Sequence, residues 1–282
     1  METHVFLAVL LAAAFHASWN AMIKLRVEPL LALSLFSIAC GAVPLPFVLV
    51  VGFPVAAAWP YIFASLAIHM VYYIALAEAY RSGDLGQVYP VARGAAPLMT
   101  AIGASLLVGE NLGPLGWAGV SVLACGILLL SLKGGRAGQA FEGRSIGFAL
   151  LTALSIALYT LADGIGARTS GEPEAYIVWL FVIDGMMMAA FGYWRFGSCV
   201  VNAEFRQSWR IVLAGGVLST TAYAIAIWAM TKAPIALVAA LRESSVLFAA
   251  LIGVVVLREP VLPMRVAAAL LVVAGIVLIR LR

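Results

Sequence analysis

The chain has 282 residues, 64% of them from the apolar set AVILMFWYC and only 11% Asp, Glu, Lys or Arg. Soluble domains run at roughly 45–50% and 25%, and a water-soluble fold of this length has no interior for so much apolar surface, so a bilayer must be the solvent. The net charge of +4 does not indicate a nucleic-acid partner, because Lys and Arg lie in short gaps between apolar runs and form no cluster longer than two.

The Val/Ile/Leu runs are long and lack strict alternation, which predicts helices rather than outer-membrane barrel strands. At about 20 apolar residues per crossing, ten spans are expected, near 3–24, 30–51, 60–80, 85–108, 114–132, 146–167, 175–195, 210–230, 234–257 and 261–280. The opening Met-Glu-Thr-His lacks the basic region of a secretory signal, and the run behind it is interrupted by His16, Trp19 and Asn20. It reads as a retained first helix. The connections are short and rich in Gly, Pro and charge, as in Gly52-Phe53-Pro54 and Arg258-Glu259-Pro260.

The longest connection, 133–145, has linker chemistry and divides the chain into 1–132 and 146–282. An internal repeat appears at an offset of 149 residues. Under that shift Arg93 falls on Arg242, Glu110 on Glu259, Pro114 on Pro263, Gly126 on Gly275 and Ile127 on Ile276. Five spans per half is odd, so the second half enters the membrane from the opposite face. The expected fold is an all-α membrane protein of ten transmembrane helices in two inverted five-helix repeats.

An ionisable group in hydrocarbon costs roughly 2.5–3.5 kcal/mol at a helix centre and so needs a partner or a wet cavity. The candidates are Glu78, Arg93, Asp163, Asp184, Arg242 and Glu243, with His16 and His69 able to titrate near neutrality. Tyr89, Arg93, Ala96 and Thr100 share one face of the fourth span. That face is either a wall for a substrate carboxylate, which the planar guanidinium binds with two hydrogen bonds, or one side of an ion pair with Glu243 or Asp163. In the third span His69, Tyr72, Tyr73, Leu76 and Tyr80 form an aromatic face able to enclose a flat ligand. Weaker candidates are Trp19 and Asn20, Tyr159 and Asp163, and Tyr223 and Trp228. Asp184 is read as half of a buried pair ahead of a proton-accepting site. Glu110 and Glu259 are expected to satisfy free N–H groups at the next helix start. Cys40 and Cys125 are taken as small apolar fillers, and the cysteine spacing fits neither metal nor disulfide.

The segment ALAEAYRSGDLGQVYPVARGAAPLMTAIGASLLVGE carries a resemblance to a known family. Its Gly83-Asp84, Val88-Tyr89-Pro90, Ala92-Arg93-Gly94, Pro97 and Gly109-Glu110 resemble the fourth-helix region of the drug/metabolite transporter superfamily, in its ten-helix EamA-type branch. Trp19-Asn20 and a closing Lys24 look like the same branch. The second copy departs from the pattern, with Val246 for the proline and Arg258-Glu259 for Gly-Glu. The resemblance implies a carrier in a bacterial-type inner membrane that exports amino acids or related metabolites, with aromatic and neutral amino acids leading. It implies a small-molecule substrate, no cofactor and no required oligomer. Organic-cation export on the same fold is the alternative, and an intramembrane enzyme a more distant one. Against the enzyme, the sequence has no His-Glu-x-x-His and no Gly-x-Gly-Asp. It also lacks a Walker sequence, so proton exchange or facilitated diffusion replaces ATP hydrolysis.

Orientation is read two ways. The loops from odd to even spans hold eleven Lys or Arg and the opposite face four, which places both termini outside. Ten-helix relatives are drawn with both termini inside. The two remaining basic residues of the 17 are Arg93 and Arg242.

Overall fold

The computed structural model describes residues 1–22, 28–82, 85–131, 143–255, 258 and 262–282. Lys24, Gly83-Asp84, Glu259 and most of the linker lie outside the described residues. Ten helices are long and apolar enough to cross a membrane: α1 Thr3–Met22, α2 Pro29–Val51, α3 Ala56–Arg81, α4 Val88–Val108, α5 Gly113–Leu130, α6 Gly143–Ser170, α7 Pro173–Phe196, α8 Ser198–Lys232, α9 Ile235–Val255 and α10 Pro263–Leu281. The described residues contain no strand.

The helix ends follow local chemistry. Glu28 caps α2 by accepting the Leu31 N–H at 3.0 Å, with Pro29 in the first turn where its missing N–H costs nothing. Gly197, at φ +82°, ends α7 and opens α8 in a single residue. α8 therefore begins at Ser198 rather than near 210 and spans 35 residues, about 52 Å at 1.5 Å per residue. Its first turns carry Asn202, Glu204, Arg206 and Arg210, polar enough to look like a loop. A helix satisfies its own backbone, however, and Val201 is buried with Leu31, Leu35 and Val212.

α4 and α9 are irregular. α4 holds Pro90 and Pro97 and ends in a π-helical stretch, Ala104–Val108, closed by Gly109 at φ +73°. α9 breaks into Ile235–Arg242 and Ser245–Val255. At the break the Glu243 and Ser244 N–H groups bond back three residues, each at 3.0 Å.

The packing obeys a two-fold relation between halves. α3 packs on α6 as α8 packs on α1, α4 on α6 as α9 on α1, and the pairs α2–α7, α4–α9 and α5–α10 are self-mated. In the α5–α10 seam a Cβ on Gly126 would lie 3.0 Å from the Ala268 carbonyl, and one on Gly275 would lie 2.8 Å from the Gly119 carbonyl. The 149-residue shift turns the first contact into the second. The partners run in opposite directions, so the axis lies in the membrane plane, as an inverted repeat requires. In α2–α7 the crossing is equally close: a Gly41 Cβ would meet the Gly185 Cα at 2.8 Å.

One face of the molecule carries Met1 and Arg282; at the other, called the linker face, α5 ends at Leu130 and α6 begins at Gly143. The largest buried apolar cluster joins the terminal-face ends of the helices, including Val5, Val9, Ile62, Leu66, Tyr176, Met230 and Ile235. Glu110 closes this face. Its carboxylate accepts the Ile235 and Ala236 N–H groups at 2.8 and 3.2 Å and pairs with Arg168 at 2.8 Å. The expected cap is thus present but serves α9 of the other half, not the next helix; the loop after Gly109 turns the side chain across the seam between halves. Arg168 also donates to the Met230 and Ala233 carbonyls at 2.8 and 2.9 Å, satisfying the end of α8. At the linker face Glu78 lies at the exposed end of α3, where Arg81 contacts it and Glu28 and Arg144 approaches it at 3.6 Å.

Candidate functional site

A cavity of about 120 Å³ lies between α1, α2, α3, α4, α6, α7, α8 and α9. It reaches from the middle of the helices toward the linker face, with Trp19 in the last turn of α1 and Leu33 in the first turns of α2. α5 and α10 contribute no lining residue and act as scaffold.

One wall is aromatic. The His69 and Tyr159 rings stack at 4.1 Å and 21°, and Tyr72 and Tyr223 meet Tyr159 edge-on at 5.6 and 5.9 Å. His16 meets Trp19 edge-on at 5.3 Å, and Trp19 lies 6.1 Å from Phe36. His69 Nδ1 is 2.9 Å from the Ser65 carbonyl. A carbonyl only accepts, so His69 Nδ1–H is the donor of this bond.

Both duplicated arginines line the cavity, on the mutually packed α4 and α9. Their surroundings differ. Arg93 Nε lies 2.8 Å from Glu243 Oε2, with side chains only 7% and 2% exposed; the two are in ion-pair contact without the alignment of a hydrogen bond. Arg93 also lies 5.9 Å from the Tyr89 ring centre. Arg242 is 5.1 Å from the Tyr223 ring centre, its Nε has no hydrogen-bond partner, and no described carboxylate lies within ion-pair distance. The repeat explains the difference, because the position equivalent to Glu243 in the first half is Gly94. A Cβ there would strike Leu128 at 2.7 Å.

Of the residues singled out in the sequence, His69, Tyr72, Arg93, Trp19, Tyr159, Tyr223 and Arg242 come together around this cavity. Three do not. Asn20 donates to the His16 carbonyl of its own helix at 2.8 Å. Tyr89 stands behind Arg93. Asp163 is wholly buried behind Tyr223, accepting hydroxyls from Tyr223 at 2.5 Å and Tyr176 at 3.0 Å. Asp184, expected in an ion pair, has none among the described residues. It lines the cavity and accepts the Tyr73 hydroxyl at 2.8 Å, and Tyr73 in turn accepts from Ser37 at 2.9 Å. The Gly41–Gly185 contact one residue away brings α2 close beside Asp184, where the Tyr73 and Ser37 hydroxyls are its neighbours. Phe36, Ser37 and Cys40 of α2 also line the cavity, so Cys40 is more than filler. Ser34, Ser37 and Gly41, one helical turn apart in an apolar run, were the available signal for that face.

Comparison with known proteins agrees with this architecture. A solved structure titled "Crystal structure of protein" superposes with a TM-score of 0.74 at 23% identity, covering 99% of this chain and 96% of its own, which is a likeness of fold. No curated protein matches the chain. The sequence profile of one family matches twice, over residues 4–132 and again over 143–281, once for each half of the structure. With ten membrane helices, two family repeats and a cavity between them, the chain is a multi-pass small-molecule transporter and belongs to the EamA-like transporter family.

Proposed function

We propose that the protein exports aromatic and other neutral amino acids across the inner membrane of a bacterial-type cell, by alternating access around this cavity. The halves 1–132 and 146–282, joined by the linker 133–145, are the two moving bodies. The observation that carries the reading is the unpaired Arg242 beside an aromatic wall. Each half carries the arginine but only the second has an acid next to it, so Arg93 is in ion-pair contact with Glu243, while Arg242, with no carboxylate at ion-pair distance among the described residues, is the guanidinium open to a ligand carboxylate. His69, Tyr72 and Tyr159 enclose a flat side chain.

The test is labelled phenylalanine flux in proteoliposomes. Tryptophan and tyrosine should compete best, and lysine or glutamate poorly. A hydrogen bond to a charged group contributes about 1.5–3 kcal/mol, so Arg242→Ala should weaken phenylalanine competition roughly ten- to hundred-fold, with Arg242→Lys between. Equal competition by lysine and glutamate, or full activity in Arg242→Ala, overturns the reading.

A further inference from the structure

The cavity holds charge of both signs, and each sign comes from a different self-mated helix pair. Arg93 and Arg242 belong to α4–α9, and Asp184 belongs to α2–α7. Asp184 is only 6% exposed. Its Oδ2 is taken by the Tyr73 hydroxyl at 2.8 Å, while its Oδ1 is buried without an aligned hydrogen bond among the described residues, with the Ser37 hydroxyl close to the carboxylate. A buried acceptor of this kind is costly until a donor reaches it. The Tyr73 hydroxyl is turned toward Oδ2, so it does not serve Oδ1. The described residues hold no cluster of three acidic, His or Cys ligands for a metal ion.

We propose that Asp184 is the recognition site for a primary ammonium group of the substrate. An ammonium offers three N–H donors. Oδ1 accepts one, and the hydroxyl oxygens of Ser37 and Ser219, which also line the cavity, are acceptors for the others. Phe181, one turn before Asp184 on α7, presents an aromatic ring to the same space, a face that attracts cations. With Arg242 lining the same cavity, the site selects ligands that carry an amine and a carboxylate together. This deepens the amino-acid reading and rests on it for the rest of the substrate, while the role of Asp184 is testable by itself.

Three compounds of similar shape separate the two roles: phenylalanine, phenethylamine without the carboxylate, and 3-phenylpropionate without the amine. Binding to the purified full-length protein is read by tryptophan fluorescence, since Trp19 lines the cavity, and by shift in melting temperature. The parent should bind phenylalanine at least about ten-fold more tightly than 3-phenylpropionate. In Asp184→Asn that preference should vanish, with 3-phenylpropionate binding unchanged or tighter, and Asp184→Glu should keep part of it. If phenethylamine binds, phenylalanine does not, and Asp184→Asn loses the amine, then Asp184 keeps its role and the amino-acid reading falls. If phenylalanine binds and Asp184→Asn leaves its preference intact, the Asp184 proposal is wrong and the amino-acid reading survives. Equal loss of all three ligands in Asp184→Asn assigns the residue to proton handling or structure and also overturns the proposal. Should Asp184→Asn fail to fold, the parent's preference for amine over amine-free ligand decides alone, and its absence rejects the ammonium site.

Discussion

Removing the Arg93 guanidinium strands Glu243 where its side chain is 2% exposed. Breaking a buried pair from one side typically costs about 3–5 kcal/mol, so Arg93→Ala should melt markedly earlier in detergent than the parent. Arg93→Ala combined with Glu243→Ala should recover much of that loss, because no buried charge is left alone. An Arg93→Ala protein that melts like the parent would show that the pair is dispensable. The sequence made both arginines conspicuous, since they are the two basic residues that lie eight or more residues from either end of an expected span. It did not reveal which one is paired. Glu243 adjoins Arg242 in sequence, yet its carboxylate reaches Arg93 on α4, because the break in α9 at Glu243-Ser244 redirects it. Asp184 was visible as a charge in an apolar run, but its hydroxyl partners come from α2 and α3, and no local pattern announces them.

At the scale of helices, stability rests on a few backbone-close crossings. A Cβ on Gly41 would lie 2.8 Å from both the Gly185 Cα and the Phe181 carbonyl, atoms that cannot swing aside. Gly41→Ala should therefore force α2 and α7 apart and cost about 1–3 kcal/mol, the usual range for overpacking. Gly147, on α6, has nothing within 4 Å of its Cβ position. Gly147→Ala should be neutral or raise stability by up to about 1 kcal/mol through helix propensity. Melting curves of the two variants check the contrast, and equal losses would remove the crossing from the argument. The ten spans were legible because each is a run of about 20 apolar residues. The extension of α8, the break in α9 and the target of Glu110 were not, because each is decided by contacts between distant segments rather than by hydropathy.

At the scale of the whole molecule, the cavity faces the side that carries the linker, and the apolar cluster with Glu110 and Arg168 closes the other. By the spans read from the sequence, eleven basic residues fall in the connections from odd to even spans and four in the others. The positive-inside rule predicts the linker side in the cytoplasm, and on that orientation this conformation faces inward. Cys199, exposed at the linker-side start of α8, is a native reporter. A membrane-impermeant maleimide should label it in inside-out vesicles and leave it unlabelled in intact cells. Labelling from outside would place both termini in the cytoplasm, as in the drawn topology of ten-helix relatives, and make the conformation outward-facing.

The antiparallel α5–α10 seam also constrains how the chain is made. Its paired contacts, Gly126 with Ala268 and Gly275 with Gly119, form only when the halves thread the bilayer in opposite senses. A faithful duplicate would repeat the first half's charge placement, with Lys24, Arg26 and Arg81 after odd-numbered spans, and would be pulled in the same way round. The second half has shed that bias: Arg195, Arg206, Arg210, Arg258 and Arg265 follow the even-numbered spans of its own count, outnumbering Arg168, Lys232, Arg280 and Arg282. Each half thus carries its own insertion instruction, and the two instructions are opposed, so correct threading is written in both halves rather than imposed by the first upon the second.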